Sequence, residues 1–568
     1  MYPLHIDKGL SIEDAAELLL KFSESLGEVP FEFLDVYERA EIAKLVEGHP
    51  RLLEWITSLA RFQDYTVIKK GLFTAPNTLD GKIASLFKVS FDYLKSRSGN
   101  GLILVRILES FNNLYATTEE LYAAFGEENE NQNASLGIEE LIEAGLLKLV
   151  TEMTDKRKYR FHSITIAAGR ELNVEPNGGM LGVHQRLARF YESKFKQRFE
   201  HLSIPQSLEE LSFAIRAIEH SIFALDPEKA IEIMQYNQFT GKSKRHLSIY
   251  ELIMRLGGNE IRYDLSENIL KITDREKLPK LWATSMVYLG NALMHTQDNR
   301  KQCIEKAIEC YESSLEVFTR DDYPIEWGQS QHFLGNAHEW LQGKYGLERN
   351  EPDDKERKIK RQKIIERSIE FYNKSLETIT RENAPDSWAL TQKGLGNAYR
   401  LIVDLHANHK EMKIKLDIYS KRQLINKALN HVKNASTVFT KDYFDFRWAQ
   451  TQYSFGQCYR FNPNGYRRWE NDLKISREYF ERSLEVFTET QYPINYGLCM
   501  YNIGLTLELS GRDKTDKEKT GIFPLAIPYY EEAIRVFKGI NASGYLKNSE
   551  DHIKKIEDFM KTQNDIIK

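Results

Sequence analysis

WATSMVYLGNAL, residues 282–293, followed by SLEVFT, residues 314–319, is a pair of segments present in five copies in the second half of this chain. Each copy opens on an aromatic residue, Trp282, Trp327, Trp388, Trp448 or Tyr496. A glycine always stands eight positions later, at Gly290, Gly335, Gly396, Gly456 and Gly504. The apolar positions of both segments recur at helical spacing, so each copy reads as two helices. Repeated helix pairs stack into a superhelix whose business is recognition, and they carry no chemistry of their own.

The second helices share a small–large–small stripe: Ala307, Tyr311 and Ser314 in the first copy, and Ser368, Tyr372 and Ser375 in the second. Val432, Phe480 and Tyr530 hold the large position in the other three copies. Residues four and three apart lie on one helical face, so small positions let helices approach and the large one fills the gap. With the glycine of the first helix, this pattern resembles the tetratricopeptide repeat over about 260 residues. The resemblance implies that the first helix of each pair lines the concave face. The aromatic openers are expected to pack between copies.

Spacing locates the variation. From the closing threonine of one copy to the next aromatic there are always eight positions, as from Thr319 to Trp327 and from Thr440 to Trp448. From glycine to closing threonine the distances are 29, 45, 44 and 32. The insertions therefore fall between the two helices of a pair, at residues 344–363 and 406–423, and form a charged fringe along one edge. Such runs read as solvated helix extensions before they read as a binding surface.

Asn291, Asn336 and Asn397 follow the glycine in three consecutive copies, with Gln457 in the fourth and Leu505 in the fifth. An amide offers a peptide backbone both a donor and an acceptor. The row is therefore a candidate ligand groove for a protein or peptide. The competing reading is that these amides bridge adjacent helices within the stack.

Composition bounds the rest. The 78 basic and 83 acidic residues give a formal net charge of -5, which is no footprint for nucleic acid. Four cysteines show no CxxC spacing, and read as buried thiols of a reducing compartment. No segment has the length and apolarity of a membrane span, and the N-terminus lacks a basic-then-apolar signal. A cytoplasmic protein is expected.

Upstream, IEDAAELLLKF (12–22) reads as a capped helix, and Gly48 and Pro50 separate two more. Helices follow at 83–96, 101–111 and 117–126, then a helix, a strand, a charged turn and a returning strand over 137–172. Helix, helix, helix, hairpin is a winged-helix order. The whole is predominantly all-α: a helical and winged-helix N-terminal half, then an α-solenoid. The expected divisions are 1–75, 76–172, 173–278 (degenerate helix pairs), 279–540 (the repeats) and 541–568 (a capping helix).

The upstream order resembles the regulatory half of NB-ARC-type STAND signalling ATPases, on the EDA–LL helix, the turn Gly48-His49-Pro50-Arg51-Leu52-Leu53, the SFDYL helix and the sequence Phe161-His162-Ser163. Of the family's Met-His-Asp motif only the histidine stands here. The resemblance implies that Pro50 packs on adenine and His162 reaches phosphates. Read from the chain alone, His162 is a structural histidine.

A Gly-rich GxxxxGK[ST] loop, which would hold those phosphates, is missing. The chain begins about where the family's nucleotide-binding core would end, so ATP or ADP is expected only with such a core supplied. No nucleophile, base and orienter recur together, so no enzyme is expected. The resemblance implies a trigger sensor whose winged helix relays occupancy, with oligomerisation on activation. A role in immunity or phage defence follows by analogy. The alternative is a free-standing adaptor that holds two partners without switching.

Overall fold

The computed structural model describes residues 10–25, 36–60, 65–76, 78–111, 114–126, 131–150, 157–161, 163–170, 172, 174–199, 205, 207–237, 247–296, 300–342, 354–407, 418–461, 469–511, 514–540 and 542–567. The chain is predominantly α-helical and divides into two units, residues 1–198 with 209–234 and residues 199–208 with 235–568. The 173–278 region contributes to both.

In the first unit, α1 (Ile12–Ser25), α2 (Val36–Leu45), α3 (Pro50–Ala60), α4 (Tyr65–Thr74) and α5 (Leu79–Lys95) enclose a core around Leu19, Ile42, Leu53, Ile56 and Leu86. Gly48 makes the turn between α2 and α3 at φ +65°, where a Cβ would lie 2.2 Å from the Leu10 carbonyl oxygen. Only glycine tolerates both the left-handed backbone and that approach. Pro50 then opens α3, where its missing N–H costs nothing.

Next come α6 (Asn100–Ile107), β1 (Tyr115–Thr117), α7 (Thr118–Phe125), α8 (Asn131–Glu143), β2 (Leu147–Val150) and β3 (Lys158–Phe161). The strands form one antiparallel sheet in the order β1-β3-β2. The hairpin stands where the sequence places it. β1 does not appear in the sequence reading, because three residues are too few to show an alternation, and Thr117 looks like part of a helix start. Thr117 is in fact both the last strand residue and the cap of α7, reciprocated by Glu120. The unit ends in α9 (Ser163–Arg170), α10 (Gly179–Phe199), α11 (Ser212–Phe223) and α12 (Pro227–Gln235).

The second unit is a stack of helix pairs: α13 (Ile249–Arg255) with α14 (Asn259–Ile272), α15 (Pro279–Leu293) with α16 (Arg300–Ser314), and α17 (Pro324–Leu341) with α18 (Asp354–Ser375). After these stand α19 (Pro385–Ala407) with α20 (Ile418–Ser436), and α21 (Asp445–Tyr459) with α22 (Trp469–Ser483). The last pair, α23 (Pro493–Ser510) and α25 (Ile527–Gly539), has the short α24 (Asp516–Ile522) between its members. α26 (Ser543–Ile567) packs on α25.

The repeat pattern has a direct packing cause. Tyr311 and Tyr372 are fully buried, and each lays its ring on the glycine of its partner helix. A Cβ on Gly290 or Gly335 would stand 2.6 Å from the ring. Burying one such aromatic stabilises the stack by roughly 2 kcal/mol. The constant junctions are capped turns: Thr319 and Thr380 accept from the backbone N–H of Asp322 and Asn383, and Pro324 and Pro385 open the next helices. The insertions appear in part as helix: α18 has 22 residues against 15 in α16. Residues 343–353 and 408–417 of the fringe lie outside the described residues.

The aromatic openers are half-buried. Trp388 packs against the Ala435 and Phe439 cluster, and Trp448 against that of Val486 and Phe487.

Candidate ligand-binding face of the solenoid

The first helices of the pairs, α13, α15, α17, α19 and α21, form a row that curls tightly. Four helix spacings would separate α13 from α21 by about 36 Å in a flat stack. Instead Arg447 of α21 stands 3.7 Å from the Glu251 carboxylate of α13, and Arg255 of α13 lies over the Phe446 ring at 4.6 Å. The charge of Arg447 also reaches His295 just beyond α15, His332 on α17 and Lys393 on α19. One side chain of α21 that reaches Glu251, His295, His332 and Lys393 marks the inside of the curl.

The predicted amide row lies on these helices, and part of its capacity is already used. The Tyr311 hydroxyl donates to Asn291 Oδ1 at 2.9 Å, and the Tyr372 hydroxyl to Asn336 Oδ1 at 2.7 Å. Asn336 Nδ2 lies 2.8 Å from His332 Nε2. Asn397 is hydrogen-bonded to Glu339, while its Oδ1 is buried with no partner. Gln457 is half-buried at the same register. In the first two copies, then, the amide ties its own helix to the aromatic of the second helix. Pro50 is half-buried at the start of α3 in the other unit, and His162 lies outside the described residues.

What the sequence reading did not single out is a concentration of cations beside this row. Four positions after the repeat glycine stand Met294, Glu339, Arg400, Arg460 and Glu508; three before it stand Val287, His332, Lys393, Tyr453 and Tyr501. Lys393 Nζ donates to Gln450 Oε1 at 2.8 Å, and Arg447 Nη1 approaches the same oxygen at 3.4 Å. Two cations thus share one neutral amide acceptor. Arg460 donates to Asn502 Oδ1 at 2.7 Å and faces Asp404 and Arg400. Arg400 is only 7% exposed, and its Nε has no hydrogen-bond partner.

The titration behaviour agrees with that crowding. Burial first, and then the charge of Arg447, pull the Lys393 ammonium down to about 7, with Glu339 opposing. Burial, then Lys393 and Arg447, pull His332 down to about 3, so it is neutral. Burial raises the Glu339 carboxyl above the usual range, against the Tyr372 hydrogen bond and the Arg400 and Lys393 charges. Lys393 and Glu339 nevertheless keep some exposure. Strong desolvation with residual access is the signature of the floor of a deep groove.

A second concavity of about 650 Å³ lies between α16, α17 and α18, lined by Glu312, Gln331, Lys363, Glu366, Arg367 and Lys374 among others. Its charges alternate in sign, as on a solvated surface. Among the described residues no group of three or more His, Cys, Asp or Glu could hold a metal ion. The four cysteines are free, and burial pushes the Cys310 thiol up to about 11 and that of Cys458 to about 12. Among the described residues no helix is long and apolar enough to cross a membrane.

No protein-family model matches this chain, and no curated protein matches it. Among solved structures it is similar to a signal transduction ATPase with numerous domains (STAND) that carries a tetratricopeptide repeat sensor, from Pyrococcus horikoshii. That likeness has 13% identity and a TM-score of 0.46, over 97% of this chain and 72% of the other. A circular tandem repeat protein with a novel repeat topology matches at 13% identity and a TM-score of 0.14, over 97% of this chain and 98% of the other.

Proposed function

We propose that this chain is the sensor and regulatory part of a STAND-type signalling switch. The solenoid recognises a protein or peptide trigger on its inner face. The three-helix, three-strand portion of the first unit acts as a winged helix that relays occupancy to a nucleotide-binding core supplied elsewhere. The chain recognises and does not catalyse, and ATP or ADP belongs to that core. Activation brings copies together, and a role in immunity or phage defence accords with the family analogy.

The observation that carries the reading is the inner row itself. Three first helices, α19, α21 and α13, turn charged side chains toward one another at Lys393, Arg447 and Glu251, where a purely structural stack would place apolar ones. A switch further requires that the trigger bind two arrangements with different affinity. Small-angle scattering of the full chain, titrated with candidate protein and peptide triggers, tests this. A binding trigger that changes the distance distribution supports the switch. Binding with an unchanged distribution assigns the chain to the adaptor class.

A further inference from the structure

We propose that the inner face between α19 and α21 is a receptor for an extended acidic peptide segment: Lys393 with Arg447 takes one carboxylate, and Arg400 with Arg460 takes a second, three residues along.

The charges on this face do not close on themselves. Lys393, Arg447, Arg400, Arg460 and Arg255 are met by the carboxylates Glu251, Glu339, Asp404 and Asp445. Two of those carboxylates have other work. Glu339 accepts from Tyr372 at 3.0 Å and from Asn397, and Glu251 closes the capping box of α13. Lys393 and Arg447 share the neutral oxygen of Gln450, with Glu251 standing off at 3.7 Å from Arg447. Enclosed cations that outnumber their carboxylates are costly, and an arriving anion offsets part of that cost.

Geometry selects the class of anion. Lys393 and Arg400 lie seven residues apart on one helix. Two helical turns separate such positions by about 10 Å along the axis. A chain in the extended polyproline II conformation covers that distance in three residues at about 3.1 Å each and, with three residues per turn, returns its side chain to the same face. Acidic side chains at i and i+3 therefore match both cation pairs. A single phosphate is too small to engage both. The neutral His332 beside Lys393 adds no competing charge.

Binding also carries a proton. Near pH 7 the Lys393 ammonium is partly neutral, held so by burial and by Arg447 against Glu339, with His332 uncharged beside it. A bound carboxylate restores its charge, so complex formation takes up a proton.

This inference rests on the inner face being the solenoid's ligand surface, and calorimetry on the full chain at pH 7 and low salt separates the two claims. The probes are a ten-residue Ser/Ala peptide with glutamates at i and i+3, its glutamine analogue, the same composition with adjacent glutamates, and sodium pyrophosphate. The i, i+3 peptide is expected to bind about tenfold more tightly than either peptide control, and to weaken with salt. Lys393→Met and Arg400→Met should each lose about tenfold, while Lys393→Arg retains binding. Repeating the titration in buffers of different ionisation enthalpy should reveal the proton uptake. The proposal is overturned if the glutamine analogue binds equally, if pyrophosphate binds and the acidic peptide does not, if nothing binds, or if the folded methionine variants bind like the parent. Equal binding of the glutamine analogue still leaves the sensor reading standing. Acid-selective binding without any change in scattering sinks the switch and leaves this inference intact.

Discussion

Glu120 in the first unit and Lys393 in the second are both ionisable, both largely enclosed, and treated in opposite ways. Glu120 has every acceptor filled: Oε1 takes the Tyr191 hydroxyl at 2.7 Å and Arg216 Nη1 at 2.9 Å, while Oε2 takes the Thr117 backbone N–H at 2.7 Å and its hydroxyl at 3.0 Å. Glu140 is treated alike, accepting from Ser98 and from the backbone of Gly101 at the start of α6. These carboxylates join helices, and a buried network that is fully satisfied is a structural joint. Lys393 has one neutral acceptor, shared with another cation. A protein that can saturate a buried charge in one region and leaves it wanting in another marks the second region for something that arrives from outside.

Breaking the joint should have the largest effect. Glu120→Ala removes the partner of Arg216 and Tyr191 and the cap of α7 together. It should cost about 3–5 kcal/mol in denaturant unfolding, with hydrogen exchange rising in α7, α10 and α11. A loss below about 1 kcal/mol would erase the contrast.

The repeat packing comes next. Gly335→Leu drives a side chain into Tyr372, whose Cε1 already lies 2.6 Å from where a Cβ would be. Overpacking there should lower stability by about 2 kcal/mol, read in the same unfolding experiment. Asn336→Ala should cost about 1 kcal/mol, because the Tyr372 hydroxyl keeps Glu339 as its acceptor at 3.0 Å.

The smallest change is expected at the most unusual residue. A lysine whose folded pKa falls below its unfolded value costs stability while protonated, and that cost fades as pH rises. For Lys393 the window runs from about 7 upward to the unfolded value. Lys393→Met should therefore stabilise the protein at pH 6 and by a smaller margin at pH 9. Urea unfolding at the two pH values decides it. A large loss at both would make Lys393 a structural joint like Glu120.

Much of the fold was legible because repetition makes a weak signal strong. The contact of the repeat glycine with the large residue of the second helix, as of Gly290 with Tyr311, shows in five aligned copies, whereas three-residue β1 has no copy to compare with. The binding face was legible only as the amide row, since amides recur in one column. Arg400 and Arg460 also share a column, four positions after the glycine, and could have been read from the alignment. Lys393 and Arg447 could not. They stand in different columns, and only the packing of α21 on α19 sets their charges side by side. The alignment was equally silent on Asn291 and Asn336, whose oxygens serve the tyrosine hydroxyls of their own pairs.

Hydrogen exchange of the full chain with and without the i, i+3 glutamate peptide tests the central claim most directly. Added protection concentrated in α19 and α21, with none in α7 or α10 and none in the exposed turns of α18, is the predicted result. Protection confined to α18, or none anywhere while the peptide is present in large excess, would contradict it.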